Sequence, residues 1–332
     1  MGKSWAEYYI DERRLQEWLP WGGLVKDDVL RNKDESLMGF FSYTKRNEEE
    51  VLFPEIKFKN GWAIWTEYQK YQGEERCFLS VCWNPFYYKK KYEWVTNALS
   101  GKAVHFDDMV FVFQQTLDRI ESALKTQVDV VRLKNKNIVE YLFSTLAMDI
   151  FPLDENHYTG YLDVQADKAF PFEIKKPTFV LNKKNIGIIS LLGYPDLSVL
   201  PIIPYDYRFS RRMLLFGQKE AQQELNRYMR QWAPKRAEIK SFLQENILGE
   251  FNGFYTNNLV FSHEHEKDLA TLLHDVDSNL QRIGVPHVVE RPNLKDVWWG
   301  ALPGIFRANL NPPIIGLTNI AEMLTLKEEH HV

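Results

Sequence analysis

The sequence predicts an α+β protein of two lobes. Each lobe is a mostly antiparallel sheet covered by helices, with β-α-β units and one long connecting helix. Three observations carry this. Strand-like stretches bounded by turn residues recur in both halves of the 332 residues. Two amphipathic helices, near 105–126 and 264–283, each sit between strands. A long helical pattern runs from about Gln218 to Ile247. The length suits two domains, and 45% apolar with 26% charged residues is ordinary for a globular chain with a sizeable core.

The elements follow in order. Residues 5–20 read as a helix that ends at Pro20. "LVKDDVLRNKDESLMGFFSYT" alternates and reads as a hairpin, with strands near 24–31 and 36–44 and a turn at Asn32 to Glu35. The charged loop "KRNEEE" follows, then a strand at 61–68 with Trp62, Ile64 and Thr66 on one face. A strand at 75–83 leads to the first amphipathic helix. Its apolar residues are Phe106, Met109, Val110, Phe113, Leu117, Ile120 and Leu124, which form a single buried face. A strand at 128–133 and a helix near 137–149 come next.

The run "NIGIISLLGYPDLSVLPIIP" (185–204) is a buried strand and loop, because its Gly, Pro and Asp spoil it as a membrane helix. The long helix begins its apolar stripe with Ala221, Leu225, Tyr228, Met229 and Trp232 and is kinked or interrupted at Pro234. The strand "FYTNNLVFS" (254–262) leads to the second amphipathic helix, with Leu269, Leu272, Leu273, Val276, Leu280 and Ile283 inward and Gly284 as its stop. "PHVVER" makes a strand. The two helices share one apolar spacing, so the chain can hold two β-α-β units of related design. The last stretch, "DVWWGALPGIFRANLNPPIIGLTNIAEML", reads as a Trp pair, a Leu-Pro-Gly turn, a Pro-Pro and a short apolar helix.

Composition narrows function. A net charge of −4 argues against a whole-chain grip on nucleic acid. The two cysteines, Cys77 and Cys82, lie five apart on one strand and point to opposite faces, so no bridge joins them, and sparse cysteine fits a reducing cytoplasm. The charged opening "MGKSWAEYYIDERR" has no signal-peptide core, and Ala6 stands where a myristoylation site needs Ser or Thr.

Chemistry is hard to find. "MGKS" lacks the preceding glycine and strand of a phosphate loop. His263 and His265 in "SHEHEKD" stand beside Glu264 and Glu266, but without His-Glu-x-x-His spacing. The stretch reads as a polar connection with Ser262 as N-cap and acids in the first turn. Neither Gly-x-Ser-x-Gly nor Cys-x-x-Cys occurs. No catalytic, cofactor-binding or metal-binding residue is assigned.

The order of segments is informative. "IGIISLLGYPDLSVLPIIPYDYRFSRRMLLF" (186–216), the long helix with "RQW", "FNGFYTNNLVFS", "GVPHVVE" and "VWWGALPGIFRANLNPPIIGLTNIAEML" succeed one another. This succession resembles the N-terminal region of the large type IV secretion and conjugal-transfer ATPases, the VirB/TrbE/CagE family. "LPWGGLVKDDVLRNKDESLMGFFSY" looks like that family's opening hairpin. The family often has Leu-Pro-Gly-Asn at the late turn, where this chain has Leu-Pro-Gly-Ile (302–305).

The resemblance implies an N-terminal lobe at 1–135, a helical and extended connection at 136–204, a second lobe at 205–326 leading towards an ATPase domain absent from these residues, and a tail at 327–332. It implies an accessory domain that does not hydrolyse ATP alone, with no cofactor of its own; ATP and Mg belong to the family's C-terminal domain. Its partners would be other inner-membrane components of the machine and sister subunits, as in a hexamer, without direct nucleic acid binding. Its place would be the bacterial cytoplasm, at the cytoplasmic face of the inner membrane. Candidate partner contacts are Trp298, Trp299, Pro303 and Gly304 in an exposed-looking connection, and Arg208, Arg211 and Arg212 at a strand end. The competing readings are a self-contained enzyme with its site between the lobes, which a polar cluster around His263 and His265 would favour, and a purely structural subunit.

Overall fold

The computed structural model describes residues 15–45, 61–85, 106–153, 160–175, 178–192, 200, 203–216, 223, 251–306 and 314–317. The segments 5–14 and "KRNEEE" lie outside the described residues, as does the long helix of 218–247 apart from Gln223, which is helical.

A short helix α1 (Leu15–Trp18) precedes β1 (Trp21–Lys26), β2 (Val29–Asn32) and β3 (Leu37–Lys45). The opening hairpin thus holds one strand more than its sequence pattern shows. Asp27-Asp28 is a two-residue turn that folds β1 onto β2 with Lys26 opposite Val29. β4 (Trp62–Tyr71) and β5 (Glu74–Trp83) form a long hairpin closed by Gln72 and Gly73. Both turn residues have positive φ, 53° and 82°, which suits the right-handed twist of the strands they join.

The first amphipathic helix, α2 (Phe106–Leu124), and β6 (Val128–Arg132) come next, followed by α3 (Lys136–Ala147) and α4 (Leu162–Ala169). Then come β7 (Phe172–Lys175), β8 (Thr178–Leu181), β9 (Lys184–Leu191) and β10 (Tyr207–Phe216). The chain resumes with β11 (Phe251–His263), α5 (Glu266–Arg282), β12 (His287–Val289), α6 (Leu294–Gly300) and β13 (Ile314–Leu317). The segment 314–317, read from the sequence as the approach to a helix, is a strand that pairs with Phe251–Phe254 of β11. The N-cap of α5 is His265 rather than Ser262, and the acids of its first turn are Glu266 and Asp268.

The class is α+β, and every described strand pairing is antiparallel. All described strands share one sheet in the order β1-β2-β3-β5-β4-β10-β11-β9-β8-β7, with β6 on β3, β12 on β9 and β13 on β11. The strands of the two predicted lobes are therefore continuous. β4 and β10 pair from Ala63↔Leu214 to Lys70↔Tyr207, which leaves neither as an edge. The stretch 136–204 supplies β7, β8 and β9 to this sheet.

Alternation along the strands divides the core. Trp62 and Ile64 face α2, whose Met109, Val110, Phe113, Leu117, Ile120 and Leu124 are buried as their spacing demands. On the same face, α5 covers Phe209, Leu259 and Phe261 with Leu269, Leu272, Val276 and Leu280. Ile283, read as the last inward residue of α5, follows the helix as its C-cap and is exposed. Ala63 and Trp65 point to the second face, which α3 and α6 cover and which holds the largest core. Cys77 and Cys82 are free thiols on opposite faces. No helix among the described residues is long and apolar enough to cross a membrane.

The end of α3 is fastened to the β8–β9 hairpin. Lys184 Nζ lies 3.2 Å from Asp149 Oδ2, Gln72 Nε2 donates to Asp149 Oδ1 at 2.8 Å, and the Ile150 amide donates to the same oxygen at 2.8 Å. Partial burial tends to raise the Asp149 pKa, but the Lys184 hydrogen bond and charge, with the two other donors, outweigh it and hold the carboxyl below its ordinary value. The resulting stabilisation is fully present above the usual Asp pKa of about 3.9 and is lost as pH falls through the lower, folded value. D149N should therefore melt below the parent at neutral pH and converge with it in strong acid. Thermal melts across that pH range check this.

Candidate functional site

The most highly charged region of the interior lies where β4 meets β10. Alternation sends Trp65, Glu67 and Gln69 to the second face, together with Arg208, Ser210 and Arg212. Register sets Ser210 opposite Glu67, Arg208 opposite Gln69 and Arg212 opposite Trp65. Glu67 and Arg208 are both fully buried, and Arg208 Nη1 donates to Glu67 Oε1 at 2.7 Å. The second carboxylate oxygen, Oε2, accepts from Thr145 Oγ1 at 3.1 Å and Gln69 Nε2 at 3.3 Å. Thr145 belongs to α3, so the helix is pinned to the sheet through the same carboxylate. One turn earlier, Tyr141 shares a 3.1 Å hydrogen bond with Ser80. Burial, reinforced by the Glu67 charge, pushes the Tyr141 phenol well above its ordinary pKa, so it stays neutral.

Over this ion pair lies the turn that follows α6. Three alternate carbonyls enter the interior, and each meets a buried donor. Ala301 O accepts from Arg208 Nη1 at 3.1 Å and Ser210 Oγ at 2.9 Å. Pro303 O accepts from Trp21 Nε1 at 2.9 Å. Ile305 O accepts from Arg212 Nη1 at 3.1 Å. A non-helical segment can be buried only if its backbone groups find such partners. Gly304 has φ +91°, and a Cβ there would lie 2.6 Å from Met38 Sδ and 3.0 Å from Asn32 Nδ2, so conformation and space both require glycine. Phe306 then meets Trp65 edge to face, with centroids 6.2 Å apart.

All seven residues read from the sequence as candidate partner contacts are buried within the chain. The exposed-looking connection is an interior turn. Trp299 stacks on Trp18 at 5.2 Å, and Trp298 meets Phe179 edge to face at 5.0 Å. The arginines stand in the middle of the sheet, because β10 runs between β4 and β11 rather than at an edge. Arg208 and Arg212 join Trp298, Trp299, Pro303 and Gly304 on the second face. Arg211 alternates to the other face, opposite Thr66 and Asn257, with its guanidinium 5.5 Å from the Phe209 ring centroid.

Sequence reasoning missed Glu67, Ser210, Thr145 and Trp21. The available signal was Glu67 itself, a lone acid with the strand parity of Ala63 and Trp65. His263 and His265 sit at the exposed junction of β11 and α5, where the His265 amide donates to His263 Nδ1 at 3.1 Å. Among the described residues no three His, Cys, Asp or Glu side chains converge as a metal site would require. A shallow groove beside β6 is lined by Asp118, Glu121, Lys125 and Arg132. Its arginine is engaged by Asp28 at 2.9 Å, Asp118 at 2.6 Å and Glu121 at 2.8 Å, which is a clamp between elements.

These features define an α+β protein built on one antiparallel sheet, with an ionic tie and a carbonyl-capped turn at its centre. Across nearly its whole length the chain is related to conjugal transfer proteins. It is 21% identical to the conjugal transfer protein TrbE of Rhizobium radiobacter over a 399-residue alignment that takes in 93% of this chain and 48% of that protein. It is 19% identical over 262 residues to a probable conjugal transfer protein TrbE of Sinorhizobium fredii, covering 66% of this chain and 39% of that protein. The resemblance to the VirB/TrbE/CagE family agrees with both. The chain spans about half the length, or less, of these curated relatives. No protein-family model matches it.

Two substitutions probe the centre. Glu67→Ala leaves Arg208 buried without its counter-charge and should cost about 3–5 kcal/mol, whereas Glu67→Leu combined with Arg208→Met should cost less. Urea unfolding midpoints of the two variants decide this. Gly304→Ala should cost about 2 kcal/mol or more, roughly 1 for the left-handed backbone and roughly 1 for overpacking. The same titration measures it.

Proposed function

We propose that this chain is an accessory domain of a conjugative DNA-transfer or type IV secretion ATPase, docking the motor to inner-membrane components of the machine and to sister subunits. The observation that carries the reading is the similarity to TrbE over 93% of the chain, within less than half of that relative's length. The 332 residues contain no Gly-x-x-x-x-Gly-Lys-Ser/Thr sequence, so no nucleotide step is assigned to them. Their proposed contribution is mechanical. A sheet locked at its centre by a buried ion pair is a stiff platform, and the turn at 301–306 fastens the segment that continues into β13 to that platform.

In this reading the purified chain shows background ATP hydrolysis. Removing the codons for these residues from a donor strain's transfer locus abolishes plasmid transfer, and affinity capture of the tagged protein from donor membranes recovers other transfer components. Unchanged transfer frequency in the deletion strain would overturn the proposal.

A further inference from the structure

The sheet order reads the same from either end. β1-β2-β3-β5-β4 on one side of the β4·β10 seam is answered by β7-β8-β9-β11-β10 on the other. The match extends beyond strand order. Each series opens with a short helix, an apolar residue, a proline and the aromatic that begins the first strand: Leu19-Pro20-Trp21 after α1, and Phe170-Pro171-Phe172 after α4. Asn32-Lys33 starts the turn into β3, and Asn182-Lys183 forms the turn into β9. β3 carries Met38-Gly39-Phe40-Phe41-Ser42, and β9 carries Ile186-Gly187-Ile188-Ile189-Ser190. A Cβ on Gly39 would strike Leu117 of α2, and a Cβ on Gly187 would strike Leu273 of α5. Each amphipathic helix thus seats a leucine on a strand glycine at the same point. Each is followed by a strand on the outer side, pairing Val131 with Ser42 and Val288 with Ser190, and then by a helix on the second face, α3 or α6.

Registers give the symmetry operator. In the first half Phe41, Leu79 and Thr66 lie side by side across β3, β5 and β4. Their counterparts in the second half are Ile189, Leu259 and Phe209 across β9, β11 and β10. In the seam, Thr66 pairs with Arg211 and Phe209 with Tyr68, on either side of the Glu67↔Ser210 pair. A two-fold axis normal to the sheet through Glu67 and Ser210 therefore exchanges the halves.

We infer that the chain is a fused pair of equivalent units, 15–153 and 160–306, and that the β4·β10 seam is an interaction surface through which one unit recognises the other. Charge sets the choice of partner. A first unit paired with its own kind in this register sets Glu67 against Glu67, and a second unit paired with its own kind sets Arg208 against Arg212. Only the mixed pair puts Ser210 opposite Glu67 and brings Arg208 Nη1 to 2.7 Å from the carboxylate. Like charges across a buried seam are a strong device against the wrong partner.

The test uses the full chain with a specific protease sequence inserted between Leu153 and Gly160, cut after folding. The two pieces should elute as one particle. The unfolding midpoint of the cut protein should rise as the protein is concentrated, whereas that of the uncut protein should not, as association linkage requires. Glu67→Lys in the cut protein should separate the pieces at concentrations where the parent pieces stay together. Refolding a mixture of cut chains, one carrying a tag on the first unit only, should give mixed pairs and no tagged–untagged pairing of two first units. Pieces that separate on cutting, a midpoint independent of concentration, or recovery of first-unit pairs would each overturn the inference.

Discussion

The ion pair between Glu67 and Arg208 is the contact on which the rest of the structure depends. Its partners are 141 residues apart in sequence, and both are fully buried. Two charges removed from water are tolerated only if geometry and further hydrogen bonds compensate for lost hydration. Here Thr145 and Gln69 supply donors to the carboxylate, and Ala301 O takes a second bond from the same guanidinium nitrogen. The pair thus joins four things at one point: the two central strands, the helix α3 and the turn after α6. A shift of register in any of them would leave a buried charge unpaired, so the tie specifies the register of the seam as well as holding it.

The turn at 301–306 applies the same rule to neutral groups. Its carbonyls at 301, 303 and 305 would each carry a desolvation cost in an apolar core. They are met by donors from β10 and from Trp21 at the start of β1. Trp21 lies in the first half of the chain and the turn in the second, so backbone satisfaction also binds the halves. The aromatic residues around it, Trp18, Trp298 and Trp299, serve this interior rather than a partner surface. A relationship to conjugal transfer proteins is compatible with such a stiff unit, since a component placed between a motor and a membrane assembly must bear load without repacking.

Much of the architecture is legible in the residues. The faces of α2 and α5 follow from apolar spacing alone, because a helix of 3.6 residues per turn has little choice of which side to bury. The strands flanking them, the free cysteines on opposite faces and the stop at Gly284, with φ +77°, follow from equally local rules. The Asp27-Asp28 turn is hidden in the sequence because two acids can sit in a polar strand face as readily as in a turn. Segment 314–317 reads as the approach to a helix because apolar content without a clear period does not discriminate. Arg208, Arg211 and Arg212 read as a solvated strand end because charge argues for exposure unless a partner is known, and the partner lies in another strand.

By itself, then, the sequence determined the local elements, their inward faces and their order, all of which depend on spacing over a few residues. Only the tertiary structure decided which strands became neighbours. It joined β4 to β10, turned two predicted sheets into one, and converted a basic cluster and a tryptophan pair from surface candidates into the centre of the core. The physical reason is that strand pairing is a contact between distant segments. Its register is set by complementary charge, hydrogen bonds and volume across the seam, and those terms do not exist until both strands are in place.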